Sequence, residues 1–467
     1  MKNEPDTDFD LPQNQKWVRK IFAKWKKSSA DTPEIIPLQI GTEDIICEKR
    51  HKYMDRCQND EVCICEMSQA NTEQIKQIIG IAEKDPAGWR NTTLEERHRI
   101  MFEAANRLGG MRGDLIGSMC AVTGKTVVEG DVEVSEGIDY ARFYTTTMKK
   151  FAALHDVDIT SKGTILVISP WNFPCAIPIG GIVAGLAGGN TVILKPATVA
   201  APVAWLFAKA FWDAGVPKEA LQVIITDREA LKELTTAPAI KHIILTGGTD
   251  TAQSIARINP STPLSAETGR KNAIILTASG DRDHAIMNIV TSAFGNAGQK
   301  CSACSLLLVE RSVYEDKNFQ DKLKDAATSI KVGSVWEAGN VVGPMITNRN
   351  DKLLQALTLE PGESWLVPPK FIDEKQYILA PTVKWGVKPG SYSFRTELFG
   401  PMLSVACIDN LQQGIELVNS LDYGLTSGLQ SLDENDKNSG RTPFWQVIFI
   451  SIVVSQVLLS TANLSVE

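Results

Sequence analysis

Apolar residues in this chain follow two periods, and the change between them divides the sequence. From Glu73 to Lys84 and from Leu94 to Gly109 they recur at helical spacing, and Val132 to Tyr144 sets Val134, Ile138 and Phe143 on one side of a third predicted helix. The period then shortens. Thr164–Ser169, Thr191–Lys195, Leu221–Ile225 and Lys241–Leu245 are short runs rich in apolar residues, separated by helix-like stretches at Cys175–Ala187, Pro202–Ala214 and Ala230–Thr236. Short apolar strands alternating with helices predict a parallel sheet covered on both faces. Such sheets bind ligands at the carboxyl ends of their strands. A second alternating block holds a strand at Asn272–Leu276, a helix at Asp281–Ala297, a strand at Leu306–Val309 and a helix at Asp316–Ile330, which predicts a second α/β domain.

The two ends differ from this body. The first 34 residues read as a polar tail, with a basic amphipathic piece from Trp17 to Lys27 that suits a surface helix or a loose tail. Pro443 to Leu459 is the most apolar stretch of the chain. It is near the lower length limit for a membrane-spanning helix. Its β-branched richness also suits a buried or aggregation-prone strand.

Composition narrows the picture. A chain of 467 residues is too long for one compact core. Hydrophobic content of 43% and charged content of 22% are those of a soluble globular protein. A net charge of −7 and a pI near 5.5 argue against a nucleic-acid surface. Bound phosphates would then rely on glycine loops and helix starts. Nine cysteines are too sparse for a disulfide scaffold. Met1 to Asp10 is acidic and lacks an apolar core, so no secretory signal is visible and a cytoplasmic location is expected. Cys57, Cys63 and Cys65, with Cys47 and His51 nearby, fit no zinc spacing. Val62, Ile64 and Met67 alternate with polar residues as in a strand, so these are expected to be strand thiols, and no metal is expected.

Candidate chemistry lies at the ends of the predicted elements. Cys301 sits in Gly298-Gln299-Lys300-Cys301-Ser302-Ala303, just before a strand. Glu267 sits in Ala266-Glu267-Thr268-Gly269, at the entrance of the second block. A thiol and a carboxylate beside glycines suit a nucleophile and a base. Asn172, between the prolines of Pro170-Trp171-Asn172-Phe173-Pro174, offers an amide on a stiff turn that suits an oxyanion. Thr246-Gly247-Gly248-Thr249 follows a strand and opens a helix, a place for a pyrophosphate, although the full glycine fingerprint is absent. Lys195, at a strand end, is in reach of ribose hydroxyls. Alone, each has a plainer reading: a buried small thiol, a capping carboxylate, a rigid loop, a solvated lysine. Cys304 also makes a C-x-x-C with Cys301, but the motif runs directly into a strand, which favours a single nucleophile over a redox pair.

Together these strings resemble the aldehyde dehydrogenase superfamily from about residue 73 to about residue 433. The likeness rests on Pro170-Trp171-Asn172-Phe173-Pro174, Leu194-Lys195-Pro196-Ala197, Thr246-Gly247-Gly248-Thr249, Glu267-Thr268-Gly269, Gly298-Gln299-Lys300-Cys301 and Glu397-Leu398-Phe399-Gly400-Pro401, in the family's order. It implies a Rossmann-type parallel-sheet cofactor domain (residues 35–266) and an α/β catalytic domain (267–432). It implies a mechanism in which Cys301 attacks an aldehyde, the Asn172 amide and the Cys301 backbone N–H hold the oxyanion, and Glu267 activates water. It assigns NAD to Ser169, Pro170, Trp171, Lys195, Gly247, Gly248, Gly269, Glu397 and Phe399. The strings Val132 to Tyr140, Ser265 to Thr268 and Cys301 to Ala303 resemble glutamate γ-semialdehyde (Δ1-pyrroline-5-carboxylate) dehydrogenases, in which the serine after the nucleophile touches the substrate carboxylate. That assigns substrate contacts to Ser302, Glu136 and Phe173. Such enzymes occur alone or fused to proline dehydrogenase, and the unfused form is expected here.

The pattern also departs from the family. Thr198 stands where a glutamate usually binds the adenine ribose and repels a 2′-phosphate, so NADP stays open beside NAD. Gly248 replaces a serine. Arg270 replaces a glycine, and either crowds the cofactor or points to solvent. After Leu425 to Leu429 the expected asparagine strand, glycine-rich substrate loop and oligomer-forming strand are not recognisable. Residues 433–467 therefore read as a non-family apolar tail, with an incomplete catalytic domain and impaired self-association. The alternatives are a catalytically silent member that binds cofactor or a partner, a dehydrogenase for another semialdehyde such as succinate semialdehyde, and a membrane tether at residues 443–460.

Overall fold

The computed structural model describes residues 2–58, 61–348, 350–373, 377–436 and 448–451. The chain divides into two units between Thr268 and Gly269.

The first unit begins with a chain segment tied down by carboxylates. The backbone N–H groups of Glu4 and Thr7 donate to Asp139 and Asp131 at 2.8 and 2.6 Å. Helix α1 (Pro12–Trp25) starts at a proline, where the missing N–H costs nothing. Its last residue explains why the basic piece is a packed helix and not a loose tail. A Cβ built on Gly117 would lie 2.2 Å from the Trp25 ring, so a bare glycine is what lets the indole seat. The indole N–H then donates to Asp114 at 3.0 Å.

Strands β1 (Glu34–Ile36), β2 (Leu38–Ile40), β3 (Glu43–Ile45), β4 (Arg50–Met54) and β5 (Cys63–Ser68) form a three-stranded sheet, β1-β5-β4, and a β2–β3 pair. Cys63 and Cys65 are residues of β5, as their alternation predicts, whereas Cys57 lies in a short 3-10 helix, Arg56–Gln58, and is not a strand thiol. Among the described residues no group of three or more His, Cys, Asp or Glu is placed to hold a metal ion. Helices α2 (Thr72–Lys84), α3 (Leu94–Gly110), α4 (Arg112–Thr123) and α5 (Val127–Ala152) follow. Asn71 and Gln74 cap the start of α2 reciprocally. The α5 helix extends beyond its apolar repeat at both ends, because Thr126 caps its start and Lys149 and Lys150 complement the dipole of its last turn.

The parallel sheet follows: β6 (Thr164–Ser169), α6 (Ala176–Ala187), β7 (Thr191–Pro196), α7 (Ala201–Ala214), β8 (Leu221–Val223), α8 (Arg228–Thr236), β9 (Ile240–Thr246), α9 (Thr249–Ile258) and β10 (Leu264–Glu267). Its order is β10-β9-β6-β7-β8, parallel throughout. Every residue of β6 is buried, as a central strand covered on both faces requires. The chain winds outward from β6 through β7 and β8, then returns to lay β9 on the other flank. That reversal is a topological switch point.

The second unit holds β11 (Ala273–Leu276), α10 (Arg282–Phe294), β12 (Leu306–Glu310), β13 (Ser364–Val367), β14 (Phe371–Asp373), β15 (Ile378–Leu379), β16 (Thr382–Trp385), β17 (Met402–Ile408), β18 (Thr426–Gln430) and β19 (Ile448–Ser451). Seven of these strands form one sheet, β13-β16-β17-β12-β11-β18-β19, antiparallel only between β13 and β16. The α10 helix stops short of Ala297, where its pattern predicted an end. Asn296, Ala297 and Gly298 are all left-handed, at φ of 50, 52 and 67°, and cannot continue a right-handed helix.

Part of the C-terminal apolar stretch is also a strand. Ile448–Ser451 pairs in parallel with β18, Thr426 opposite Ile448. Residues 443–447 and 452–460 lie outside the described residues. Among the described residues no helix is long and apolar enough to cross a membrane.

Candidate active site

In the first unit the singled-out residues gather at the carboxyl ends of neighbouring strands. Ser169 ends β6, Lys195 lies one residue from the end of β7, Gly247 and Gly248 follow β9, and Glu267 ends β10. Register aligns them: Ser169 pairs with Pro196, Ile168 with Lys195 and Leu245, and Glu267 with Thr246. Gly247 N–H donates to the Glu267 carbonyl at 3.0 Å, and the Glu267 side chain is exposed. Lys195 is mostly buried, which lowers its pKa, and its amine has no partner among the described residues. The Ser169 hydroxyl is buried without a hydrogen-bond partner among the described residues. Helix α9 starts after Gly248, which has no side chain to cap it.

Pro170 to Pro174 form the turn from β6 into α6. Sequence reading attributed its stiffness to the prolines, but buried charges also hold it. Lys125, 1% exposed, donates to the Asn172 carbonyl at 2.9 Å and lies 4.0 Å over the Phe173 ring. It pairs closely with Glu133, whose other oxygen accepts the Cys175 and Ala176 N–H groups at 2.6 and 3.1 Å. Glu133 thus caps α6 from another helix. Asn172 itself is buried. Glu136, one helical turn along α5, accepts from Tyr140 at 2.9 Å. Lys125 and Glu133 escaped sequence reading, although Glu133 beside Val134 marks a charge on an inward face.

In the second unit the corresponding groups gather at the amino ends of β11, β12 and β17. The left-handed turn Asn296-Ala297-Gly298 leads to Cys301, which is half-buried, as is Ser302. A Cβ on Gly298 would sit 2.2 Å from the Gly400 carbonyl, so the turn packs directly on the loop before β17. Asn272 fixes the far side of Cys301: its amide donates to the Cys301 carbonyl at 2.7 Å and the Ala303 carbonyl at 3.1 Å. Cys304 is different from Cys301. It is buried, burial pushes its thiol up to about 12, and it donates to the Leu306 carbonyl at 3.3 Å. Neither cysteine forms a disulfide among the described residues.

Arg270 neither points to solvent nor stands apart from the site residues of this unit. It is 2% exposed, and its Nη2 donates to the Gly298 carbonyl at 2.9 Å. Its backbone N–H and Nη1 both meet Glu397 Oε1, at 3.0 and 3.3 Å, and its guanidinium lies 4.5 Å over the Phe399 ring. Phe399 has a φ of 50°, and Asn350 donates to the Leu398 carbonyl at 2.7 Å to hold that loop. Gly269 adjoins Arg270 and is half-buried.

The model of the aldehyde dehydrogenase family matches residues 47–439. A 1-pyrroline-5-carboxylate dehydrogenase from a Geobacillus species is 30% identical over 466 aligned positions, covering 95% of this chain and 89% of that protein. The crystal structure of a Thermus 1-pyrroline-5-carboxylate dehydrogenase with bound NAD superposes with a TM-score of 0.90 at 27% identity, covering 97% of this chain and 90% of that one. Proline utilization A from Corynebacterium freiburgense superposes with a TM-score of 0.83 at 33% identity, covering 96% of this chain and 42% of that one.

Proposed function

This chain belongs to the aldehyde dehydrogenase family, and from that premise we propose that it oxidises L-glutamate γ-semialdehyde to L-glutamate with NAD or NADP. In this reading Cys301 releases its thiol proton to water, the thiolate sulfur bonds to the aldehyde carbon, and the C=O π electrons move onto oxygen. The Asn172 amide and the Cys301 N–H hold that oxyanion. When bound, the dinucleotide supplies the acceptor for the hydride released from this carbon. Glu267 then takes a proton from water, and the resulting hydroxyl displaces the sulfur to release the acid. Ser302, Glu136 and Phe173 orient the substrate.

The observation that carries the reading is the state of Cys301. It is partly exposed on a loop fixed from both sides, whereas Cys304, three residues on, is buried and engaged. The Ser169 hydroxyl, the Lys195 amine and the uncapped start of α9 fit the sugars and pyrophosphate of a dinucleotide. The substrate is argued from the relatives' own names and from the donors that an amino-acid carboxylate needs. Thr198 follows β7 with no charge to repel a 2′-phosphate, which supports use of both dinucleotides.

The test is turnover by purified protein with glutamate γ-semialdehyde, beside succinate semialdehyde, and either dinucleotide. Cys301→Ala is expected to abolish it. Full turnover in that variant would remove the mechanism, and a preference for succinate semialdehyde would replace the substrate. A second reading, a silent member that only binds cofactor, is favoured by one feature: Glu397 and Phe399, assigned to the nicotinamide riboside, are already engaged by Arg270. A dinucleotide-dependent rise in melting temperature without turnover selects that reading.

A further inference from the structure

We infer that Arg270 is a positioning residue for Cys301: its buried guanidinium fixes the loop that carries the nucleophile and supplies a positive charge that favours the thiolate. The inference deepens the role proposed for Cys301 and rests on it.

Arg270 and Asn272 belong to one short segment and hold the same loop on both flanks of Cys301. Arg270 binds the carbonyl of Gly298, and Asn272 binds those of Cys301 and Ala303. The loop enters through three successive left-handed residues, two of them not glycine, so its shape has to be imposed from outside. The Arg270 Nε is also buried with no hydrogen-bond partner among the described residues, which leaves a donor unspent within this cluster.

Burial lowers the pKa of the guanidinium. Glu397 opposes that most strongly, followed by the Cys301 sulfur, with Cys304 also contributing. Attraction between two charges is mutual, so a thiolate that steadies Arg270 is steadied by it. Charged groups nearby include Lys271, which the same guanidinium and Lys384 disfavour as a cation, and Lys300, which precedes Cys301 in the chain. Glu397 takes part of the guanidinium's field, but its side chain is 18% exposed against 2% for Arg270, so water screens the carboxylate more.

The test needs neither cofactor nor aldehyde. Iodoacetamide alkylation of the Cys301 peptide is followed by mass spectrometry across pH. The wild-type midpoint is expected below the ordinary cysteine value of about 8.5. Arg270→Gln should raise it by about one pH unit, a roughly tenfold slower reaction near neutrality, with Arg270→Lys between. Glu397→Gln frees the guanidinium of its competitor and should lower the midpoint, a direction that general loosening of the loop does not produce. An unmoved midpoint in Arg270→Gln, or a raised one in Glu397→Gln, overturns the inference. So does a shift that follows Lys300→Gln and not Arg270→Gln. A protein with the expected shifts but no turnover would lose the proposed function and keep this role for Arg270. Turnover without the shifts does the reverse.

Discussion

Lys271 lies next to Arg270 in the chain and is 1% exposed, with no hydrogen-bond partner for its amine among the described residues. Burial, then the neighbouring Arg270, lowers its pKa from 10.5 to about 7. The unfolded chain holds this proton up to the ordinary lysine range, whereas the folded chain releases it above about 7. Between those values the unfolded state binds more protons, so Lys271 makes stability rise with pH across the window. Lys271→Met should flatten that rise. Urea unfolding of both forms at pH 7 and pH 9 is expected to show a slope difference on the order of 2 kcal/mol. Parallel slopes would mean that Lys271 keeps an ordinary pKa when folded. At this scale sequence reading singles out candidates that sit in local motifs, such as Cys301 and Glu397, whose roles stay proposals. It misses Lys125, Glu133 and Asn272, and leaves Arg270 open between solvent and cofactor. Their meaning depends on partners far along the chain, which periodicity does not encode.

Elements were more legible than partners. The β6 strand matches its apolar run from Thr164 to Ser169, and α6 starts one residue inside its predicted stretch. Errors fall where side chains override the repeat: the caps that lengthen α5, and the left-handed turn that shortens α10. Strands β13, β16 and β17 were not anticipated, since their register is fixed only by neighbours in the sheet. The turn after β6 shows how elements depend on one another. It stands between a strand and a helix but is held by Lys125 and Glu133 from the α4–α5 corner. Lys125→Met leaves a buried carboxylate without its counter-ion and should cost about 3–5 kcal/mol in chemical unfolding. Adding Glu133→Gln removes the orphaned charge and should recover much of that loss. If the double variant is no more stable than Lys125→Met, the pair is not what holds this corner.

Across the whole second unit, the C-terminal apolar stretch bears on sheet closure. Sequence reading has residues 433–467 as a non-family apolar tail whose β-branched richness suits a strand, and among the described residues Ile448–Ser451 forms the outer strand of the sheet beside β18. The β18 strand is built as an inner strand: Thr426, Ser427 and Leu429 are buried, and its opposite edge pairs with β11. An inner strand carries none of the charges or prolines that protect natural edges. Deleting residues 437–467 would leave its backbone donors and acceptors unpaired on one side, open to any other extended chain. The deletion is therefore expected to lower the melting temperature and to move protein from a defined species into aggregate on size-exclusion chromatography. If the shortened chain elutes as one sharp species and melts where the full chain does, the pairing of β19 with β18 contributes nothing to the fold. Should it aggregate while keeping cofactor binding in the soluble fraction, the C-terminal stretch serves solubility, and the proposed cofactor binding does not depend on it.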